Sequence, residues 1–298
     1  MKIKFIILSM FAAVLVSCGT TSTVPITGRK HTLLVSDEQV LSLSNQEYTK
    51  YMQTAKVSTN AANTAMVKRV GQRLANAVES YLKNNGMSSE VKNFNWEFNL
   101  VQDNNVNAFC MPGGKIVVYE GLLPVTKDEA SLAIVLGHEI AHAVAKHSAE
   151  QMSKAYRQQY ATQIGGAVAS VLGVGSTAVS IGQWVMQNGF QFRNLSYSRD
   201  NEAEADHMGL IFAAMAGYNP EVAIPFWQRM ASSTSSASGT NTLQKMLSDH
   251  PSDANRIAAI QKEMPEALKY YQQAVPASKT TTVRKTTTGK KAKGSSRR

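Results

Sequence analysis

Residues 128–154 read DEASLAIVLGHEIAHAVAKHSAEQMSK, an apolar stretch of helical period centred on an HExxH sequence, His138-Glu139-Ile140-Ala141-His142. Side chains four apart share one helical face, so both imidazoles can meet one Zn²⁺ while Glu139 reaches the water beside it. The setting favours such a site: residues 132–136 are apolar, Gly137 precedes the first histidine, and Ala141 and Ala143 allow close packing.

A hydrolytic zinc site needs a third protein ligand and an open position. The three-histidine extension of the motif needs a glycine at 145 and a histidine at 148, where this chain has Ala145 and Ser148. His147 is one place off; each step turns a helix by about 100°, so His147 is expected to face away from the metal and to cap or pack. The third ligand is then expected to be a carboxylate from Ser198-Arg199-Asp200-Asn201-Glu202-Ala203-Glu204-Ala205-Asp206, a second helix predicted over 198–216. Glu202 and Asp206 share a face, with Glu204 nearly opposite. Glu202 is taken as the ligand and Asp206 as the acceptor that fixes an imidazole tautomer.

Outward from these helices, 36–38 looks like a helix start and 64–83 has helical spacing. Residues 96–101 and 115–119 read as strands with a turn at Pro112-Gly113-Gly114 between them. Residues 232–242, nearly all Ser, Thr, Ala, Gly and Asn, are expected to be a mobile loop, and 251–271 a closing helix. Residues 164–186 form an uncharged run long enough to cross a bilayer. A buried or lid helix is preferred, since a crossing would separate Glu202 from the histidines unless the chain returned; a spanning helix and a membrane-contacting surface stay open.

HExxH followed by Ser-Arg-x-x-Glu-x-Glu-Ala-Asp resembles the Ste-type zinc endopeptidases, the forty-eighth metallopeptidase family, in its single-domain exported lipoprotein branch. Asn107-Ala108-Phe109, Pro112-Gly113-Gly114-Lys115-Ile116 and Gly121-Leu122 are similar to the family's edge-strand segment, and His250-Pro251 with Arg256 to its late His-Pro…Arg element. The resemblance covers roughly 70–260. It implies an α+β fold, a mainly helical zincin-type metalloprotease domain with a small β-sheet beside the metal-binding helix. It also implies one zinc ion per chain on His138, His142 and Glu202, with Glu139 as general base. Substrate would lie as an extended strand beside Asn107, Ala108 and Phe109, which main-chain hydrogen bonds make tolerant of sequence. Arg256 and His250 are the implied groups near the reacting carbonyl; His250 either donates to the oxyanion or plugs the fourth metal position, and the plug is favoured.

The chain's 298 residues and 43% apolar content suffice for one catalytic domain. Its net charge of +10 resides at the ends: residues 1–17 carry two lysines and no acid, and 273–298 carry eight basic residues and no acid. The part between is formally neutral. The tail lacks an aromatic residue after Tyr271 to stack on bases, so no nucleic-acid partner is expected. Lys2 and Lys4 ahead of an apolar run over 5–16 read as an export signal, and Leu15-Val16-Ser17-Cys18 resembles a bacterial lipobox with Cys18 lipidated. Cys110 is then an unpaired thiol. The expected organisation is a lipoprotein signal peptide (1–17), a flexible linker (18–30), a metallopeptidase domain (31–272) and a basic disordered tail (273–298). The expected setting is the cell envelope, held to its membrane by the N-terminal lipid, with unfolded or misassembled envelope proteins as substrates. The competing reading is a non-proteolytic assembly factor with a structural zinc; an intact Glu139 speaks against it.

Overall fold

The computed structural model describes residues 20–164, 185, 190–235, 250 and 254–275. The flexible linker expected over 18–30 is instead, from Thr20 onward, part of the fold. Strand β1 (Thr20–Thr23) pairs antiparallel with β2 (Lys30–Leu33). Its Ser and Thr side chains face largely outward, but Val24 and Leu33 are buried and fasten the hairpin down. The Val24 N–H donates to the Arg29 carbonyl at 2.8 Å, and the turn between has Ile26 and Gly28 at φ 66° and 68°.

Helix α1 (Asp37–Thr54) starts at a capping box, Ser36 accepting from the Gln39 N–H while the Gln39 side chain accepts from the Ser36 N–H. Helix α2 (Ala61–Asn84) buries Val67, Val70, Leu74, Val78 and Leu82 along one face, as its helical spacing predicts. The expected strands follow as β3 (Glu97–Val101) and β5 (Lys115–Tyr119), with β4 (Ala108–Met111) between them in sequence. In the sheet the order is β3-β5-β4; β3 runs parallel to β5 and β4 antiparallel, which leaves β4 at the rim.

Helix α3 (Glu129–Val144) carries the HExxH residues and is capped by Asp128, whose carboxylate accepts from the Ser131 N–H at 2.7 Å. The helical run expected to continue to 154 is interrupted. Ala145 caps α3, Lys146 turns the chain at φ 58°, and α4 (His147–Ile164) restarts at once. Lys146 is held there by Asp37 at 2.8 Å and Glu90 at 2.9 Å, which offset part of the cost of a left-handed lysine.

Helix α5 (Arg199–Met215), capped by Ser198, is the second motif helix, and Gly217 at φ 79° follows its end. Helix α6 (Ala223–Ser235) was not expected; it absorbs the first four residues of the loop placed at 232–242, the rest of which lies outside the described residues. Helix α7 (Ala254–Ala274) is the closing helix, shifted three residues from 251–271. Cys18 with the signal, nearly all of 164–186, and the tail beyond 275 lie outside the described residues. No helix among the described residues is long and apolar enough to cross a membrane.

What positions the site is the crossing of α3 and α5. A Cβ on Gly137 would lie 2.6 Å from the Gly209 carbonyl oxygen, and one on Gly209 would lie 2.6 Å from the His138 nitrogen. With glycine on both sides the two backbones touch, and the residues one and two turns away along each helix are brought face to face. The expected mainly helical α+β fold, with a small sheet beside the metal helix, is what forms.

Candidate metal centre

His138, His142, Glu202 and His250 each offer one ligand atom, and these atoms lie within 4.8 Å of one another, all buried. The two Nε2 atoms are 3.1 Å apart. Glu202 Oε2 lies 3.4 Å from the first and Oε1 3.4 Å from the second. His250 Nδ1 is 3.1 Å from both Glu202 oxygens and 3.2 Å from His138 Nε2. A tetrahedron with corners about 2.0–2.1 Å from its centre has edges of roughly 3.3–3.4 Å, so the donor set has the size that zinc requires.

Its chemistry fits as well. His138 Nδ1 faces Asp206 Oδ1 at 2.8 Å and donates to it, so Nε2 is the nitrogen turned into the cluster and the one able to give a metal its lone pair. Lone pairs and a carboxylate thus converge on one point that calls for a cation. Burial opposes a charge on His138, but the Asp206 and Glu202 carboxylates outweigh it and lift its pKa to about 9, so without a metal a proton on Nε2 takes the cation's place, and a metal would have to displace it. Glu202, against the pull of burial, is held far below the ordinary carboxylate range by His138, His142 and His250. Burial pushes His142 well down.

Glu139 stands beside this set and is not part of it. Its Oε1 lies 3.6 Å from His250 Nε2, and its pKa is raised by burial, against the opposing pull of His250 and His138. A carboxylate whose charged form is disfavoured by burial is a stronger proton acceptor than an exposed one.

Asp206 lies against His138 Nδ1 and is itself gripped from behind. Arg256 donates Nε to Oδ2 and Nη2 to Oδ1, both at 2.7 Å, in a two-point fork. The guanidinium also lies 3.6 Å over the Trp227 ring of α6. Expected near the reacting carbonyl, Arg256 directs its fork at Asp206, and its Nη1 donates to the His250 carbonyl at 3.3 Å; Ala254–Ala274, which carries it, packs along α5. His250, expected as donor or plug, stands at the fourth corner.

His147 lies outside the donor set but does more than cap or pack. It stands directly behind a ligand: Nδ1 is 2.9 Å from His142 Nδ1, and Nε2 is 2.9 Å from Glu204 Oε2. The 100° argument assumed an unbroken helix, and the turn at Lys146 swings His147 back. Glu204 does point away from the metal, as expected, but onto His147. Tyr197, which sequence reasoning missed, stacks on His142 with ring centres 4.1 Å apart and hydrogen-bonds Ser148 at 2.9 Å. Its only signal was its place just ahead of the α5 cap.

Ala108 and Phe109 lie on the rim strand and are buried; Phe192 shares a cluster with Phe109 and Met111. Asn107 accepts the Tyr119 N–H through its carbonyl at 3.0 Å and the Ala108 N–H through its side chain at 2.9 Å. The Cys110 backbone hydrogen-bonds Glu139, tying the rim strand to the would-be base, and the Cys110 thiol is free and buried. A cavity of about 250 Å³ lies beside Glu202 and Asp206, lined by Tyr197, Ala203, Asn255 and Ala259.

The model of peptidase family M48 matches residues 61–264. The chain belongs to this family. Human mitochondrial metalloendopeptidase OMA1 is 32% identical over 246 residues, 82% of this chain and 46% of its own length. The Saccharomyces cerevisiae mitochondrial metalloendopeptidase OMA1 is 28% identical over 254 residues, 84% of this chain and 71% of its own. The beta-barrel assembly-enhancing protease of Yersinia pestis is 31% identical over 164 residues, 55% of this chain and 33% of its own. The chain spans about half the length of the animal relatives it matches. His138, His142 and Glu202 all fall inside the matched M48 region, and the buried cluster they form with His250 fits a zinc metallopeptidase.

Proposed function

We propose that the chain is a zinc-dependent endopeptidase of the bacterial cell envelope that cleaves unfolded or misassembled proteins, with the domain at 31–272 tethered through a lipidated Cys18. The observation that carries the hydrolytic reading is a buried His138-His142-Glu202 set with Glu139 beside it and outside it. Bound zinc supplies a Lewis acid that polarises the scissile carbonyl and acidifies water. Glu139 takes a proton from the attacking water and hands it to the leaving amine. Asp206, clamped by Arg256, fixes the His138 tautomer and stabilises its orientation. An extended substrate adds beside Asn107, Ala108 and Phe109 at the rim of the sheet once Phe192 yields its place. The envelope setting rests on the leader and lipobox pattern and on likeness to a protease named for β-barrel assembly.

One observation favours a second reading. His250 supplies a fourth donor, and closed four-donor sites are structural as a rule. In the hydrolytic reading the same histidine is a plug that leaves before water enters.

Both readings are tested with zinc-loaded protein on casein and a short peptide. Glu139→Gln is expected to keep zinc and lose at least about a hundredfold in hydrolysis, the usual contribution of a general base being 10²–10⁴-fold. His250→Ala is expected to keep zinc and hydrolyse the short peptide faster than wild type. A zinc-loaded wild type and His250→Ala that both leave casein intact would establish the structural-zinc reading.

A further inference from the structure

Among the described residues an imidazole, His147, and not a carboxylate meets the outer nitrogen of His142, and what stands behind it reaches the surface. We infer that His147, Glu204 and Arg29 form a positioning relay for His142, which makes the N-terminal hairpin a working part of the metal centre. The inference rests on His142 being a zinc ligand and is independent of whether peptide bonds are cleaved.

The protons settle the direction of the relay. His142 offers Nε2 to the cluster as a lone pair, so its hydrogen sits on Nδ1 and is donated to His147 Nδ1 at 2.9 Å. His147 must accept there, so its own hydrogen is on Nε2 and is donated to Glu204 Oε2 at 2.9 Å. Glu204 must then be an ionised acceptor, and its surroundings make it one. Arg29 donates Nε to both Glu204 oxygens at 2.9 and 3.0 Å and Nη2 to Oε2 at 2.6 Å, and the Thr27 hydroxyl donates to Oε1 at 2.6 Å.

Each link is also held from outside. His147 is fully buried, where a misplaced proton has no solvent to correct it. Arg29 Nη1 reaches Glu150 Oε1 at 2.6 Å, and the same oxygen takes His31 Nδ1 at 2.5 Å. Asn201 Nδ2 donates to the other Glu150 oxygen at 3.0 Å. The hairpin, α4 and α5 are therefore joined at the end of the relay. Orientation of an imidazole that binds metal is set by what its second nitrogen meets. Here that partner's position depends on a guanidinium located six residues beyond β1.

The test uses the full chain loaded with zinc or cobalt. It reads the rate of metal loss to a chelator, the visible absorption of the cobalt form, and the unfolding midpoint of the metal-free form. His147→Phe keeps the ring and removes both hydrogen bonds, and is expected to weaken metal affinity about 10–100-fold, the usual cost of losing such a partner. His147→Gln, which can accept and donate, is expected to recover part of that loss. Arg29→Ala, at the half-exposed end where folding is least at risk, is expected to speed metal loss and shift the cobalt bands. Arg69→Ala, which breaks the exposed pair with Glu129, serves as control and is expected to do neither. Wild-type metal retention and cobalt absorption in both Arg29→Ala and Glu204→Ala would overturn the relay, whatever happens to the unfolding midpoint. A wild-type chain that binds no zinc would overturn the metal reading and the relay together. A zinc-binding but inactive wild type whose Arg29→Ala variant still loses metal faster would remove the peptidase reading and support the relay.

Discussion

His138 and His142 stand one helical turn apart and offer the same atom to the same point, yet they are held from behind in different ways. Behind His138 a single carboxylate suffices: Asp206, on the touching helix, forked by Arg256. Behind His142 an extra imidazole is interposed before a carboxylate and an arginine are reached. The difference follows from the crossing of the helices. Gly137 and Gly209 bring α5 within hydrogen-bond reach at the first histidine, whereas α3 ends two residues past the second and the partner must come from the restart of the chain. One arm ends in the core under Trp227, the other at a half-exposed arginine on a hairpin. The core arm is expected to dominate stability, and the hairpin arm to act mainly on the metal.

The sharpest way to break that contrast is to delete the carboxylate in each arm. Asp206→Ala leaves Arg256 charged and buried, with a Glu202 oxygen at 4.0 Å, the His250 carbonyl at 3.3 Å and the Trp227 ring beneath it. Breaking a buried pair from one side costs about 3–5 kcal/mol. Glu204→Ala leaves Arg29 its Glu150 contact and solvent, so the main loss is an unsatisfied His147 N–H, about 1–3 kcal/mol. Urea unfolding of the two metal-free variants should rank them in that order; equal losses would mean that the hairpin arm is as structural as the core arm.

A second measurement probes the cause of the contrast. Gly137→Ala places a Cβ against the backbone of α5, where no side chain can swing aside. Overpacking of this kind costs about 1–3 kcal/mol. The helices are expected to part and zinc occupancy to fall, through His138 and Glu202 together, while the hairpin stays docked. Unchanged zinc content and unfolding in Gly137→Ala would show that the close approach is not what sets the direct arm.

The two arms also differed in how readable they were. His138, His142, Glu202 and Asp206 follow from four-residue spacing on two helices, a regularity that survives folding because each pair sits inside an unbroken element. His147 was misread because nothing in Ala145-Lys146 announces a break: neither is Gly, Pro or Asn, and the left-handed turn is held by Asp37 and Glu90 from distant parts of the chain. The hairpin was misread because its strands are four residues long and rich in Ser and Thr, too short for periodicity to register against a polar composition. Arg256 and His250 carried no spacing signal and came from family likeness alone; its burial beneath Trp227 depended on a helix, Ala223–Ser235, that had not been anticipated.

The last effect is one of pH, read at Glu150 in the hairpin arm. Burial by itself would raise the Glu150 pKa, but hydrogen bonds from His31 and Arg29 outweigh it and hold the carboxyl at about 2. An unfolded glutamate titrates near 4.3. A group whose folded pKa is depressed contributes stability that is complete above its unfolded pKa and is lost as pH falls through the folded one. The Glu150 contribution should therefore be whole at pH 6, partial at pH 3, and nearly gone at pH 2. Glu150→Gln removes the titration and leaves the shape. The gap in unfolding free energy between wild type and Glu150→Gln, measured by urea in the metal-free form, is expected to shrink steadily from pH 6 to pH 2.5. Metal-free protein is needed because acid also protonates the ligands, which would mask a change of this size. A gap that stays constant across the range would mean that Glu150 keeps its partners without its charge. The end of the hairpin arm would then be held by packing of Leu33 and Val24 and not by its ion pairs.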